Sequence, residues 1–246
     1  MFLLYELTLT PIRFLTVYVA QGFICIWFAY LAYRILKRDR KRINFIFAGF
    51  YLSAVVGLFF NFIYAPLTNE NIVRVLNYLT NFGIFYSPIF LVVFELILLK
   101  SEKFINTFKQ LLILIGFGFF MFSMIFFVLT DDWGVKLNAD TEWSPEWSLA
   151  FFLYLIIGES LFAIVPLLYL SIKIYNKFED EQLKRKWKYF IFGFCALSIF
   201  MYGIFLSNFL ASYDLNIRLV MGVIGLLCAF SGGYLMYSGV GRQLEK

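Results

Sequence analysis

The chain has 246 residues, of which 62% are hydrophobic, 22% aromatic and only 15% charged. Soluble domains are about 45–50% apolar and about 25% charged, so a water-soluble globular fold is excluded; a bilayer, by contrast, covers apolar faces itself. The net charge of +5 is no nucleic-acid signature, because the basic residues fall between apolar runs, as orientation signals do.

Residues 1–13 read as an interfacial N-terminal segment. They carry Glu6, no basic leader and no small-residue cleavage pattern, so no secretory signal is expected, and Pro11 and Arg13 separate them from the first span. Seven apolar runs follow at 14–34, 43–64, 76–99, 109–129, 148–172, 187–210 and 217–239. Each holds about 20–25 residues, enough to cross a core of about 30 Å at about 1.5 Å per residue. The predicted fold is all-α: a polytopic seven-transmembrane-helix bundle over 14–239 with a short tail at 240–246. The polar stretch 71–81 allows a surface helix before the third span. Asp180 and Glu181, four residues before Lys184 and Arg185, predict a helical extension leading into the sixth. Its basic end would touch anionic lipid headgroups.

Basic residues set the expected orientation. One set of loops and span ends holds Arg34, Lys37, Arg38, Arg40, Lys41, Arg42, Lys100, Lys103, Lys109, Lys173, Lys177, Lys184, Arg185, Lys186, Lys188, Arg242 and Lys246. The opposite set holds Arg13, Arg74, Lys136 and Arg218. The rich face is read as cytoplasmic, which puts the N-terminus outside and the C-terminus in the cytoplasm. Trp133, Trp143 and Trp147 fall at the outer boundary and Trp187 and Tyr189 at the inner one, where interfacial anchors are expected.

The residue inventory removes several chemistries. With 0 histidines, histidine-ligated zinc hydrolases, haem bundles and Ser–His proteases are closed. No Asp lies inside a span, which argues against a paired-aspartate protease. The seventh run has no Lys for a retinal Schiff base. No acidic-Arg-aromatic triplet follows the third run, which continues Leu98, Leu99, Lys100, Ser101, and no Asn-Pro pair lies in the seventh, so the marks of common G-protein-coupled receptors are missing. No phosphate loop or metal-spaced cysteine pair appears; Cys25, Cys195 and Cys228 lie in apolar runs and read as small buried hydrophobes. No enzyme activity and no cofactor are implied.

Polar residues inside the runs are the candidates for function. Glu159 sits about 11 residues into the fifth span, near mid-membrane. A charge there costs at least about 2.5–3.5 kcal/mol, so the neutral acid is expected. A proton- or ligand-sensing carboxyl and a plain interhelical hydrogen bond are both open for it. Glu95, in the third span, is a second candidate or snorkels toward Lys100. Gln21, Asn61, Asn77, Asn81, Asn208 and Asn216 fall toward outer span ends and either line an outward cavity or bond neighbouring helices. Pro88 and Pro166 are predicted kinks, seven positions from Glu95 and Glu159 respectively and thus near the same helix face. Gly225, Ala229 and Gly233 form a small-residue stripe for packing inside the bundle or in a homodimer. The outer loop 131–148 places Asp131, Asp132, Asp140, Glu142 and Glu146 among its tryptophans with Lys136 alone opposing, either a lid attracting a cation or a solvated loop.

The basic loop at 37–42 entering Ile43-Asn44-Phe45, the tryptophan-bearing outer loop before the fifth span, and the charged stretch 179–188 leading into Tyr189-Phe190-Ile191-Phe192-Gly193 together give a recognisable pattern. It resembles the N-terminal seven-helix sensor region of some bacterial and archaeal histidine kinases and related signalling proteins. The resemblance covers almost the whole chain as a pattern of hydropathy and loops, and no sharp motif carries it. It implies a membrane sensor that passes a signal to a cytoplasmic output. With seven residues in the tail 240–246 and no phosphoacceptor histidine in the sequence, the output is expected on a separate protein. The expected function is a non-enzymatic receptor or sensor in the cell membrane, with the lipid bilayer and a cytoplasmic signalling partner or a homodimer as partners. The alternatives are a small secondary transporter, for which spans one to three and five to seven show no clear internal echo, or a structural subunit of a membrane complex.

Overall fold

Backbone polar groups cannot stay open in lipid, and each apolar run satisfies its own by forming a helix. The computed structural model describes residues 11–128, 130, 133–210 and 215–241. Seven helices in it are long and apolar enough to cross a membrane: α1 Leu15–Arg38, α2 Arg42–Tyr64, α3 Glu70–Lys100, α4 Thr107–Val128, α5 Leu149–Tyr175, α6 Glu181–Leu210 and α7 Val220–Val240. The protein is thus an all-α chain with the makeup of a multi-pass membrane protein. The one strand pair among the described residues, β1 Val135–Lys136 and β2 Glu146–Trp147, is an antiparallel clip in the loop between α4 and α5. Residues 1–10, Asp131, Asp132, the side chain of Asn216 and residues 242–246 lie outside the described residues.

Several helices begin where a side chain can take an open N–H. The carbonyl oxygens of Asn69 and Asn106 accept from the amides of Ile72 (3.2 Å) and Lys109 (3.0 Å), and the Ser148 hydroxyl from Phe151 (3.1 Å). The cap at Asn69 corrects one expectation. Residues 71–81 are not a surface helix; they are the first turns of α3, with Val73, Asn77 and Asn81 buried. Pro11 corrects another. It opens a short helix, Pro11–Phe14, that runs straight into the π-helical turn Leu15–Gln21 of α1, so it does not separate a segment from the span. Proline tolerates a first helical position because its missing N–H is open there anyway. The extension before Trp187 is helical from Glu181, with an ion pair from Lys184 to Glu181 at 2.8 Å.

The helices pack in a ring, α1 on α2, α2 on α3, α3 on α5, α5 on α6, α6 on α7 and α7 back on α1. α4 lies outside this ring, against α3 and α5. Its core window is only 17% buried, against 61% for α3, so α3 is the central helix and α4 the most lipid-exposed. Phe47, Phe94 and Phe190 meet inside the ring, with Phe47 stacked on Phe94 at 4.9 Å. Two tryptophans read as anchors from sequence are core residues instead. Trp147 packs on Phe85, Phe151 and Phe205, and Trp187 stacks on Phe190 at 4.6 Å. Their neighbours supply apolar surface and, for Trp187, a hydrogen-bond acceptor, which a position at the run's edge does not reveal. Trp133 and Tyr189 do stand exposed.

Lipid gives helices no hydrophobic reason to associate, so backbone proximity takes over. At Gly57 and Gly83 the backbones of α2 and α3 nearly touch; a Cβ on Gly57 would lie 2.6 Å from the Ile84 nitrogen. The Ser53 hydroxyl donates to the Gly83 carbonyl at 2.7 Å across the same contact. Gly193 and Gly232 do the same for α6 and α7. The stripe on α7 is used within the chain: Gly225 faces Phe200, Ala229 is fully buried, and Gly233 meets Trp27, Phe28 and Leu31 of α1. The contact sets a measurable contrast. Gly57→Ala should destabilise the detergent-solubilised protein by about 1–3 kcal/mol through overpacking. Gly222→Ala, where nothing lies within 4 Å, should be neutral or slightly stabilising in the same thermal unfolding experiment.

Candidate functional site

Polar side chains inside the bundle fall into three levels. At the level nearest the α4–α5 loop, the Asn61 amide of α2 donates to the Gln21 carbonyl of α1. On α3, Asn81 donates to Asn77 at 3.1 Å, and Asn77 donates to the Tyr64 hydroxyl of α2 at 3.1 Å. These residues are joined to one another in two clusters that tie α1, α2 and α3. Asn208 is half-buried on α6 and makes no side-chain hydrogen bond among the described residues.

Two arginines that sequence reading used for orientation, and Arg13 also for marking the end of the N-terminal segment, close this end. Arg13 donates to the Glu142 carbonyl at 2.7 Å, and Arg218 to the Pro145 carbonyl at 2.6 Å. Arg13 also lies near enough to Glu142, and Arg218 to Glu146 and Glu142, to oppose those carboxylates beside Lys136. Burial pushes the Arg13 guanidinium below its ordinary range, while Tyr64, Tyr18 and Glu142 pull the other way. Glu142 and Trp143 have φ of 49° and 58°. That left-handed turn, held by the Trp143 amide on the Asn138 carbonyl at 2.9 Å, aims the Glu142 carbonyl at Arg13.

At mid-span lies Glu159. It is fully buried, and neither carboxyl oxygen has a hydrogen-bond partner among the described residues. It ends the α-helical part of α5, Leu149–Glu159, and the π-helical turn Ser160–Ile164 begins at the next residue. There the Val165 amide reaches back five residues to the Ser160 carbonyl. The Ser160 hydroxyl, next in sequence to Glu159, shares a 2.6 Å hydrogen bond with the Tyr202 hydroxyl of α6. Gly158 admits the Phe120 ring of α4 against the same point of the helix. The wider π turn changes one expectation: Pro166 is rotated away from the face that seven α-helical residues would give it.

The third level is near the basic-loop end. Glu95 is fully buried and does not snorkel toward Lys100. One of its oxygens accepts from the Ser171 hydroxyl of α5, and the other has no partner among the described residues. The Ser171 carbonyl in turn accepts from the Trp187 indole N–H of α6 at 2.9 Å. One short chain of hydrogen bonds therefore links α3, α5 and α6. Ser171 lies 76 positions from Glu95, so no sequence spacing announces the pair; a serine among apolar residues is the only signal.

Both glutamate-bearing helices are interrupted. α3 breaks at Tyr86, and the carbonyl of Ile84, whose α-helical partner would be the absent N–H of Pro88, accepts from the Ser87 hydroxyl at 2.7 Å. α5 has its π turn just before Pro166. A cavity of about 40 Å³ touches both interruptions, with Ser87 and Pro88 on one side, Ile164 on another and Phe194, Leu197 and Met201 of α6 across from them. What this arrangement offers is movement: a buried acid without partners, two weak points in the helices that carry acids, and space between them.

Removing the Ser171 hydroxyl leaves Glu95 with no partner. Ser171→Ala should therefore lower stability by about 1–3 kcal/mol in thermal unfolding, and adding Glu95→Met should recover much of that loss, because an apolar group needs no acceptor satisfied. Compared with protein-family models, the chain matches none, and no curated protein is similar in sequence.

Proposed function

We propose that this protein is a non-enzymatic receptor or sensor of the cell membrane, with its N-terminus outside and its C-terminus in the cytoplasm. In this reading Glu159 is the group that answers the signal, a change in its own protonation or a cationic group reaching the bundle interior. The observation that carries it is the complete burial of a carboxyl with both oxygens unpartnered among the described residues. A static structural glutamate would be expected to bond a neighbouring helix, since an unmade buried hydrogen bond costs about 1–3 kcal/mol. Charging it, or giving it a donor, changes the balance at the π turn. α5 and α6 respond through Ser160 and Tyr202, and the Glu95–Ser171–Trp187 chain carries the movement to the basic-loop side. The loops there would hand it to a cytoplasmic partner, as the resemblance to seven-helix sensor regions implies. The orientation is supported by the basic loops, which alternate with loops poor in Lys and Arg.

A small secondary transporter is the second reading. Interrupted helices carrying acidic residues, as in α3 and α5, are also how transporters build mid-membrane sites. Vesicles reconstituted with the protein separate the two, since a sensor leaves an imposed proton gradient intact and a proton-coupled carrier dissipates it.

The direct test follows tryptophan fluorescence against pH, with Trp187 as the reporter at the far end of the chain. The wild type should show a single titration step, fully converted to the protonated form at low pH. Glu159→Gln should remove most of its amplitude at unchanged thermal stability, and Glu95→Gln should keep the step while altering its size. An unchanged step in a folded Glu159→Gln protein would rule out Glu159 as the responding group.

A further inference from the structure

A groove of about 400 Å³ runs between the end of α1 and the start of α2, lined by Tyr33, Leu36, Lys37, Arg40 and Phe45. We infer that it binds the phosphate headgroup of an anionic phospholipid. Lys37 and Arg40 supply the charge. Other cations of this loop are already engaged: Lys41 pairs with Asp39 at 2.7 Å, Arg34 donates to the Tyr30 hydroxyl at 2.8 Å, and Arg42 donates to the carbonyls of Glu102 and Ile105. Lys37 and Arg40 are exposed and meet no carboxylate or other hydrogen-bond acceptor among the described residues. The Lys37 ammonium sits 5.5 Å from the centre of the Tyr33 ring, which holds it at the groove wall. Arg40 offers the forked donor geometry that suits phosphate oxygens.

The walls decide between lipid and a soluble anion. Tyr33 and Phe45 are 56% and 51% exposed and face outward from the bundle, so the groove opens sideways along surface that lipid must cover. Its charged end lies where α1 leaves the apolar core, the depth of headgroups, and its apolar end lies where acyl chains begin. Phe45 stands in the first turn of α2, which starts at Arg42, so the positive end of that helix borders the groove. One phosphodiester against two uncompensated cations, with its acyl chains along Tyr33, Leu36 and Phe45, uses all five lining residues. A zwitterionic headgroup brings its own cation into the same space and fits poorly. A bound lipid would hold the ends of α1 and α2 together at the face that the sensor reading uses for output, although the binding itself does not depend on that reading.

Native mass spectrometry of the full chain in neutral detergent, titrated with phosphatidylglycerol, phosphatidylcholine or soluble glycerol phosphate, tests this. One phosphatidylglycerol should be retained with about tenfold preference over phosphatidylcholine, and glycerol phosphate should not displace it. The double variant Lys37→Gln, Arg40→Gln should weaken retention about twenty- to thirtyfold. A charge-matched control, Lys100→Gln, Lys103→Gln, should leave it unchanged; both control positions are exposed. Equal losses in the two double variants, no headgroup preference, or displacement by glycerol phosphate would each overturn the assignment.

Discussion

The outer surface of this bundle is built from large apolar side chains that water cannot solvate cheaply. Phe23, Ile26, Phe119, Phe126 and Leu227 are each 65–71% exposed, and each forgoes about 1.5–3 kcal/mol of burial if the surroundings are aqueous. In lipid that penalty vanishes, and with it the force that would pull helices together. The interior must then be organised by other means. Close backbone contacts at Gly57 and Gly83 and at Gly193 and Gly232 supply one; interhelical hydrogen bonds supply the other. Every polar side chain inside the ring is consequently expensive, and a carboxyl left wholly or partly without partners among the described residues, as at Glu159 and Glu95, is the most expensive of all.

Those two carboxyls stand on the two interrupted helices, α5 and α3. The asparagine and glutamine clusters near the α4–α5 loop are satisfied and fasten α1, α2 and α3 as a unit. Glu159 is unsatisfied, and Glu95 is half satisfied. On the proposed sensor reading, the difference divides the bundle into a fixed part and a responsive part. α5 and α6 belong to the second, joined to each other by Ser160 and Tyr202 and to α3 by Glu95, Ser171 and Trp187. The interruptions at Tyr86 in α3 and at the π turn after Glu159 in α5 give those two helices places to bend, and at the first Ser87 covers the Ile84 carbonyl that Pro88 leaves without its α-helical donor. The Ser160 hydroxyl donates at 2.5 Å to the Ile156 carbonyl, which also accepts the Ser160 amide.

Hydropathy alone locates the seven apolar helices, because about twenty apolar residues in a row have no other use. It fails where a polar or aromatic residue is buried by partners distant in sequence. Asn77 and Asn81 make the start of α3 look like a surface helix; Tyr64 and one another are what let them go inside. Trp147 and Trp187 sit at run edges, yet Phe205 and Phe190 cover them. Arg13 and Arg218 count as orientation signals, and their bonds to Glu142 and Pro145 depend on a left-handed loop turn that no motif predicts. The π turn is equally hidden: Pro166 announces a disturbance in α5 but not its kind, and the extra residue per turn is what separates Pro166 from the face of Glu159. Glu159 and Glu95 themselves stand out from sequence, since carboxyls are rare in apolar runs, whereas which of them has a partner is decided by Ser171 alone.

The proposed topology has lipid around a ring whose successive loops face opposite compartments. Single cysteines placed in a background lacking Cys25, Cys195 and Cys228, and challenged in intact cells with a membrane-impermeant thiol reagent, measure this directly. Thr68→Cys and Asp140→Cys should react from outside, and Arg40→Cys, Lys103→Cys and Lys177→Cys only after the membrane is opened. Two consecutive loops labelled from one side would contradict the account, as would labelling of all five in a protein that stays folded without detergent.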